Sequence, residues 1–119
     1  MAAGWVTTHV LDTGRGVPAA GMRVEVWRLG PQGRELVREL VTNADGRTDA
    51  PVIPQGEPEA GVWELVFQAG EYLEASGQIG ETPRFLDVIP IRFGIERAGE
   101  HYHVPLLLAP YGYSTYRGS

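Results

Sequence analysis

The chain contains no cysteine and no lysine; all ten of its basic residues are arginine. Without cysteine there is no thiol nucleophile, zinc–thiolate centre, iron–sulfur cluster or disulfide framework. Without lysine there is no Schiff base, P-loop or ammonium general base. Positive charge is scarce as well: 15 Asp and Glu against 10 Arg leave a net charge of -5, with a pI near 5.1. Nucleic-acid affinity comes largely from clustered Lys and Arg, so no nucleic-acid partner is expected. No apolar run approaches the length that spans a bilayer, and Met1-Ala-Ala-Gly-Trp-Val has neither a basic start nor an apolar stretch of signal-peptide length. The expectation is no membrane association and a cytoplasmic location.

The 119 residues are 43% hydrophobic and 21% charged, ordinary globular usage that fits one domain over 1–119. Sixteen glycines and nine prolines cut the chain into short runs, as in a fold of many strands. Trp5 to Leu11 reads as a first strand, followed by the turn-rich Asp12-Thr13-Gly14-Arg15-Gly16. Met22 to Leu29 alternates, with Met22, Val24 and Val26 on one side, and Glu35 to Thr42 is its expected partner. Thr42-Asn43-Ala44-Asp45-Gly46-Arg47 suits a tight reversal before a further short strand, which places Arg47 just past a turn. Val62 to Gln68 turns Trp63, Leu65 and Phe67 one way. Gly70 to Ser76 is the one stretch of helix-favouring composition without proline, predicting about two turns. Asp87 to Ile95 lines up Ile89, Ile91, Phe93 and Ile95, while Pro90 cannot donate to a ladder and marks an edge strand. His101 to Leu108 and Tyr111 to Arg117 complete the set. The pattern predicts an all-β, two-sheet antiparallel sandwich with one short helix; a small closed barrel is the alternative.

Chemistry has few carriers here. The only histidines are His9, His101 and His103. Strand parity sets Thr7, His9 and Leu11 opposite Val6, Thr8 and Val10, so His9 need not enter the core. In the penultimate strand Tyr102, Val104, Leu106 and Leu108 form an apolar row, and His101 and His103 share the other face roughly 7 Å apart. His-x-His with a third His elsewhere can also build a three-imidazole zinc site. Arg47 reads either as a solvated loop charge or as a fixed guanidinium for an oxyanion or planar carbonyl. Glu57 and Glu59, flanked by proline, read as solvated charges, and Gly14-Arg15-Gly16 lacks the context of a dinucleotide fingerprint. Tyr111 to Ser119 is rich in aromatic and hydroxyl groups and alternates as an ordered strand does, forming an edge able to pair with another subunit.

Taken together, Thr8-His9-Val10-Leu11-Asp12, Asp45-Gly46-Arg47-Thr48, and His101-Tyr102-His103-Val104-Pro105-Leu106-Leu107-Leu108 through Tyr116-Arg117-Gly118-Ser119 resemble the signatures of the 5-hydroxyisourate hydrolases, the transthyretin-like proteins of purine breakdown. The terminal tetrapeptide is the most specific of these matches, and the resemblance spans essentially the whole chain. Transthyretin itself lacks the histidine set and the tetrapeptide, so the likeness is to the enzyme branch. Ala109 stands where that pattern has serine.

The resemblance implies a prealbumin-like sandwich of two four-stranded sheets with one short helix, assembled as a homotetramer whose active sites lie in a channel between dimers. It implies hydrolytic opening of the lactam ring of 5-hydroxyisourate, giving 2-oxo-4-hydroxy-4-carboxy-5-ureidoimidazoline, without metal or organic cofactor. By motif position it assigns catalysis to His9, Arg47, His103 and Ser119, and substrate binding to His9, Arg47, Tyr116, Arg117, Gly118 and Ser119, with His101 a non-matching neighbour. An imidazole suits the base because its ordinary pKa lies near working pH, and Arg47 beside it favours the neutral form. His9 and His103 are both candidates. Tyr116, Ser119 and the terminal carboxylate are expected to orient the substrate or the water.

Overall fold

The computed structural model describes residues 3–119. Eight strands and one helix follow in the order β1 (Trp5–Asp12), β2 (Val17–Pro18), β3 (Arg23–Gly30), β4 (Gly33–Val41), β5 (Gly61–Gln68), α1 (Ala69–Ala75), β6 (Val88–Ile95), β7 (His101–Ala109) and β8 (Gly112–Thr115). They form two four-stranded sheets, ordered β2-β1-β7-β8 and β4-β3-β5-β6, so the sandwich is realised and the closed barrel is not. The alternation read from sequence becomes the core: Val6 and Val10 of β1, Val24 and Val26 of β3, Leu65 and Phe67 of β5, Ile89 and Ile91 of β6, and Val104, Leu106 and Leu108 of β7 are all buried. Each face of the sandwich interior is thus built from every second residue.

Three details depart from the expectation. β1 and β7 pair in parallel, Trp5 beside His101, Thr7 beside His103 and His9 beside Pro105, whereas the other pairings are antiparallel. The short strand expected after Arg47 is reduced to a single bridge between Ile53 and Val6. The last strand ends at Thr115 rather than Arg117, but the ladder resumes at Gly118, which bridges His103 in the register that Thr115 and Leu106 establish. β6 is an edge strand, as Pro90 foretold.

β5 is covered on both faces, because Glu64 on its outer side is buried between Arg34 and Arg92. The helix closes one end of the sandwich through Tyr72 and Leu73. Tyr72 donates its hydroxyl at 2.6 Å to Asp12, a fully buried carboxylate at the end of β1 that also accepts from Gln78 and Arg15. Among the described residues no helix is long and apolar enough to cross a membrane.

Candidate active site

The parallel pairing of β1 and β7 builds the site. On the face turned away from the core, Trp5, Thr7 and His9 stand beside His101, His103 and Pro105. Thr7 Oγ1 lies 2.6 Å from His101 Nε2 and 2.7 Å from His103 Nδ1. Trp5 stacks on the His101 ring, centroids 4.4 Å apart and planes within 9°. The two imidazoles, 6.0 Å apart between ring centres, are therefore held by neighbours on β1 rather than by each other.

Arg47 is delivered by the reversal after β4. Asn43 Oδ1 accepts from the backbone N–H of Asp45 and Arg47, as an Asx turn does. Gly46 takes φ +76°, and a Cβ there would collide with the Val10 carbonyl oxygen. The turn is docked on β1 because the Val10 N–H donates to the Gly46 carbonyl at 2.8 Å. Its second attachment is His9, whose Nε2 lies 2.9 Å from the Asp45 carbonyl oxygen. A carbonyl only accepts, so His9 Nε2 must carry its hydrogen. Arg47 itself is exposed, and among the described residues its guanidinium makes no ion pair, in contrast to arginines such as Arg23, Arg34 and Arg92, which face carboxylates. Its charge is left to the cleft.

That cleft, about 400 Å³, is lined by Thr7, Arg47, Thr48, Asp49, His101, His103 and Ser119, with Thr8, Ala50 and Pro51. Residues more than a hundred positions apart in sequence meet there. Ser119 arrives through Gly118, whose N–H donates to the His103 carbonyl and whose α-carbon packs on the His103 ring. His103 is held below the ordinary histidine pKa, first by burial and then by the nearby charges of His101, Arg47 and His9. It is therefore unprotonated at neutral pH, the state from which a base can act.

The residues singled out in the sequence do not all arrive in one place. Arg47, His103 and Ser119 share the cleft, and Gly118 backs it. His9 stands on the same strand face and its charge is felt at His103, but its Nε2 is committed to the turn. Tyr116 and Arg117 line a different hollow, with Phe93, Glu96 and Tyr102, between the edges of β6 and β8. There the Arg117 guanidinium lies 4.0 Å over the Tyr102 ring and pairs with Glu100. Glu57 and Glu59 are each ion-paired, with Arg38 and Arg28. The three histidines do not converge as metal ligands, and among the described residues no other cluster of His, Cys, Asp or Glu does. Sequence reasoning passed over Thr7 and Asp49, and set His101 aside. Thr7 shares its strand face with His9, which was the available signal.

Comparison with known proteins agrees with this architecture. The family model described as HIUase/Transthyretin family matches residues 6–118. The 5-hydroxyisourate hydrolase of Halalkalibacterium halodurans is 55% identical over 118 residues, covering 98% of this chain and 99% of the relative. Among solved structures, (S)-allantoin synthase superposes with a TM-score of 0.93 at 48% identity; the match covers 99% of this chain and spans 44% of that longer one. Sea bream transthyretin in complex with thyroxine superposes with a TM-score of 0.84 at 25% identity, covering 95% of this chain and 93% of the other. With a family model covering nearly all of its length and a relative sharing more than half of its residues end to end, this chain belongs to the HIUase/Transthyretin family.

Proposed function

We propose that this protein hydrolyses 5-hydroxyisourate to 2-oxo-4-hydroxy-4-carboxy-5-ureidoimidazoline, as a single domain over 1–119 and without metal or organic cofactor. The name carried by the full-length relatives supports the substrate. The observation that carries the chemistry is the meeting in one cleft of a guanidinium with no ion pair among the described residues, a neutral imidazole and a hydroxyl.

Each group has a role that follows from its surroundings. His103 engages Thr7 through Nδ1, which leaves Nε2 to take a proton from water as the water attacks the ring carbonyl. His9 cannot do this at Nε2, where it already donates to Asp45; it serves both binding and catalysis by holding the turn that presents Arg47. Arg47 faces the oxygen that gains negative charge in the tetrahedral intermediate, the position where a fixed cation helps most. Collapse of that intermediate breaks the carbonyl–nitrogen bond, and the ring nitrogen leaves with the proton that His103 returns. Ser119 orients the planar substrate. Tyr116, Arg117 and Gly118 serve binding by fixing where Ser119 sits, with Arg117 clamped between Glu100 and Tyr102.

The same reading includes a homotetramer with the cleft opening on a channel between dimers. The exposed tyrosines Tyr111, Tyr113 and Tyr116 and the exposed Phe85 are consistent with partners on those faces. Light scattering is expected to give four times the chain mass of 13.0 kDa.

The deciding experiment is an ultraviolet time course on freshly generated 5-hydroxyisourate. Purified protein is expected to accelerate its loss, Arg47→Ala and His103→Ala nearly to abolish that acceleration, and exhaustive chelation to leave it unchanged. Binding without turnover would instead make the protein a carrier, and full activity in both variants would remove the assigned site.

A further inference from the structure

Among the described residues Thr7 is the one side chain hydrogen-bonded to both cleft histidines, and its geometry restricts where their protons lie. A hydroxyl carries a single hydrogen, so facing His101 Nε2 at 2.6 Å and His103 Nδ1 at 2.7 Å it can donate to only one of the two ring nitrogens, and at least one of them must donate to it. The two imidazoles are thus coupled: a bare nitrogen facing Thr7 on one ring requires the facing nitrogen of the other to carry its hydrogen.

We propose that Thr7 and His101 form a proton relay behind His103, in which His103 Nδ1–H donates to Thr7 Oγ1 and the Thr7 hydroxyl donates to His101 Nε2. The inference rests on the hydrolase reading above and assigns two positioning residues to it. In this arrangement His103 presents a bare Nε2 to the cleft, the state a base requires. When Nε2 takes the proton of the attacking water, the Nδ1 proton passes to Thr7 and the Thr7 proton passes to His101 Nε2. His103 is then neutral again with its hydrogen on Nε2, and the positive charge rests on His101. When the ring nitrogen leaves, His103 Nε2 gives up that hydrogen while His101 returns its proton through Thr7 to Nδ1. The relay ends in its starting protonation state, and the proton taken from water has moved to the leaving nitrogen.

The surroundings set the direction of the first transfer. The charged and titratable groups around His103 include His9 on β1, His101 on β7, Arg47 and Asp49 from the segment after β4, and the terminal carboxylate of the cleft-lining Ser119. Burial and Arg47 oppose a cation on His103. His101 instead lies flat against the Trp5 ring, and an aromatic face stabilises an adjacent cation. Charge moved from His103 to His101 leaves the guanidinium for the indole face.

The test combines nitrogen-15 spectra of the histidine rings with kinetics on 5-hydroxyisourate. At pH 8 wild-type His103 is expected to show a protonated Nδ1 and a bare Nε2. Thr7→Val should remove that preference and lower kcat roughly ten- to a hundredfold, the scale of proton-transfer catalysis, with KM nearly unchanged. Thr7→Ser keeps the hydroxyl, controls for folding, and should restore both the tautomer and most of kcat. His101→Asn still accepts from Thr7 but takes no proton, so the His103 tautomer should persist while kcat falls about tenfold. A protonated Nε2 on wild-type His103, or full kcat in Thr7→Val or His101→Asn, would overturn the relay. Wild-type protein without turnover would overturn the hydrolase reading instead, and the ring spectra would still decide the tautomer on their own.

Discussion

The backbone N–H of Gly118 donates to the His103 carbonyl oxygen at 2.9 Å, so the segment that brings Ser119 to the cleft is fastened to a residue that lines it. A Cβ at position 118 would lie 2.5 Å from His103 Cδ2 and 3.2 Å from Cγ. Gly118→Ala must therefore displace either the ring or the segment. A misplacement on the order of 1 Å costs roughly a hundredfold in rate, and a loss of that order in kcat/KM is expected with little change in Tm. Steady-state kinetics beside a thermal melt would show it; wild-type kcat/KM in this variant would mean the contact is idle.

In the proposed mechanism Arg47 acts on substrate and on His103 together. Arg47→Ala is expected to lower kcat/KM by roughly 10²- to 10³-fold, the usual cost of losing an oxyanion donor. Its charge is one of the causes that depress His103, after burial and His101. Removing it lets the His103 pKa rise toward the ordinary 6.5. A base must be neutral to work, so the acid limb of the pH–rate profile should move to higher pH in the residual activity of this variant. An unmoved limb would separate Arg47 from His103.

The same depression makes stability depend on pH. The unfolded chain binds a proton at His103 near pH 6.5 and the folded protein binds it only at lower pH. The contribution is therefore fully present above about pH 6.5 and is lost as pH falls through the folded-state value. Asp12, Glu71 and Glu100 are also lowered, but from 3.8 and 4.5, so they act in a more acidic window. Denaturation midpoints of wild type between pH 7.5 and 5, on the order of the range where histidines titrate, should fall faster than those of His103→Asn. Parallel curves would contradict the depressed value.

Asp12 ties β1 to the helix. Burial raises its pKa, but hydrogen bonds from Tyr72, from the backbone and side chain of Arg15, and from Gln78 outweigh that and lower it. Asp12→Asn keeps the shape and removes the charge that these donors address, and is expected to cost about 2–3 kcal/mol. Tyr72→Phe should cost about 1 kcal/mol by losing one hydrogen bond. Urea denaturation measures both, and an Asn variant as stable as wild type would refute the role.

Much of the architecture is legible in local pattern. Met22, Val24 and Val26 alternate with outward-facing neighbours, as Ile89 and Ile91 do with the exposed Val88, Pro90 and Arg92, because every second residue of a strand meets the core. The reversal at Asn43 to Arg47 is legible because an Asx turn and a glycine at positive φ are local chemistry. The face shared by His101 and His103 follows from parity alone. Arg117 escaped the same logic: its motif pointed to the substrate, while its parity in the resumed β7–β8 register turns it toward Tyr102.

The amino-acid sequence by itself determined which residues are extended, which face of each strand is apolar, and where the chain reverses, since these depend on neighbours within a few positions. It also carried the motifs that mark the family. Only the tertiary structure decided that β1 runs parallel to β7, which sets Thr7 beside His103 and Trp5 beside His101, and that Gly118 carries Ser119 back to the same cleft. Strand alternation states which way a side chain points; which strand lies alongside, and in which direction, is settled by contacts between residues far apart in the chain, where the packing of both sheets is satisfied at once.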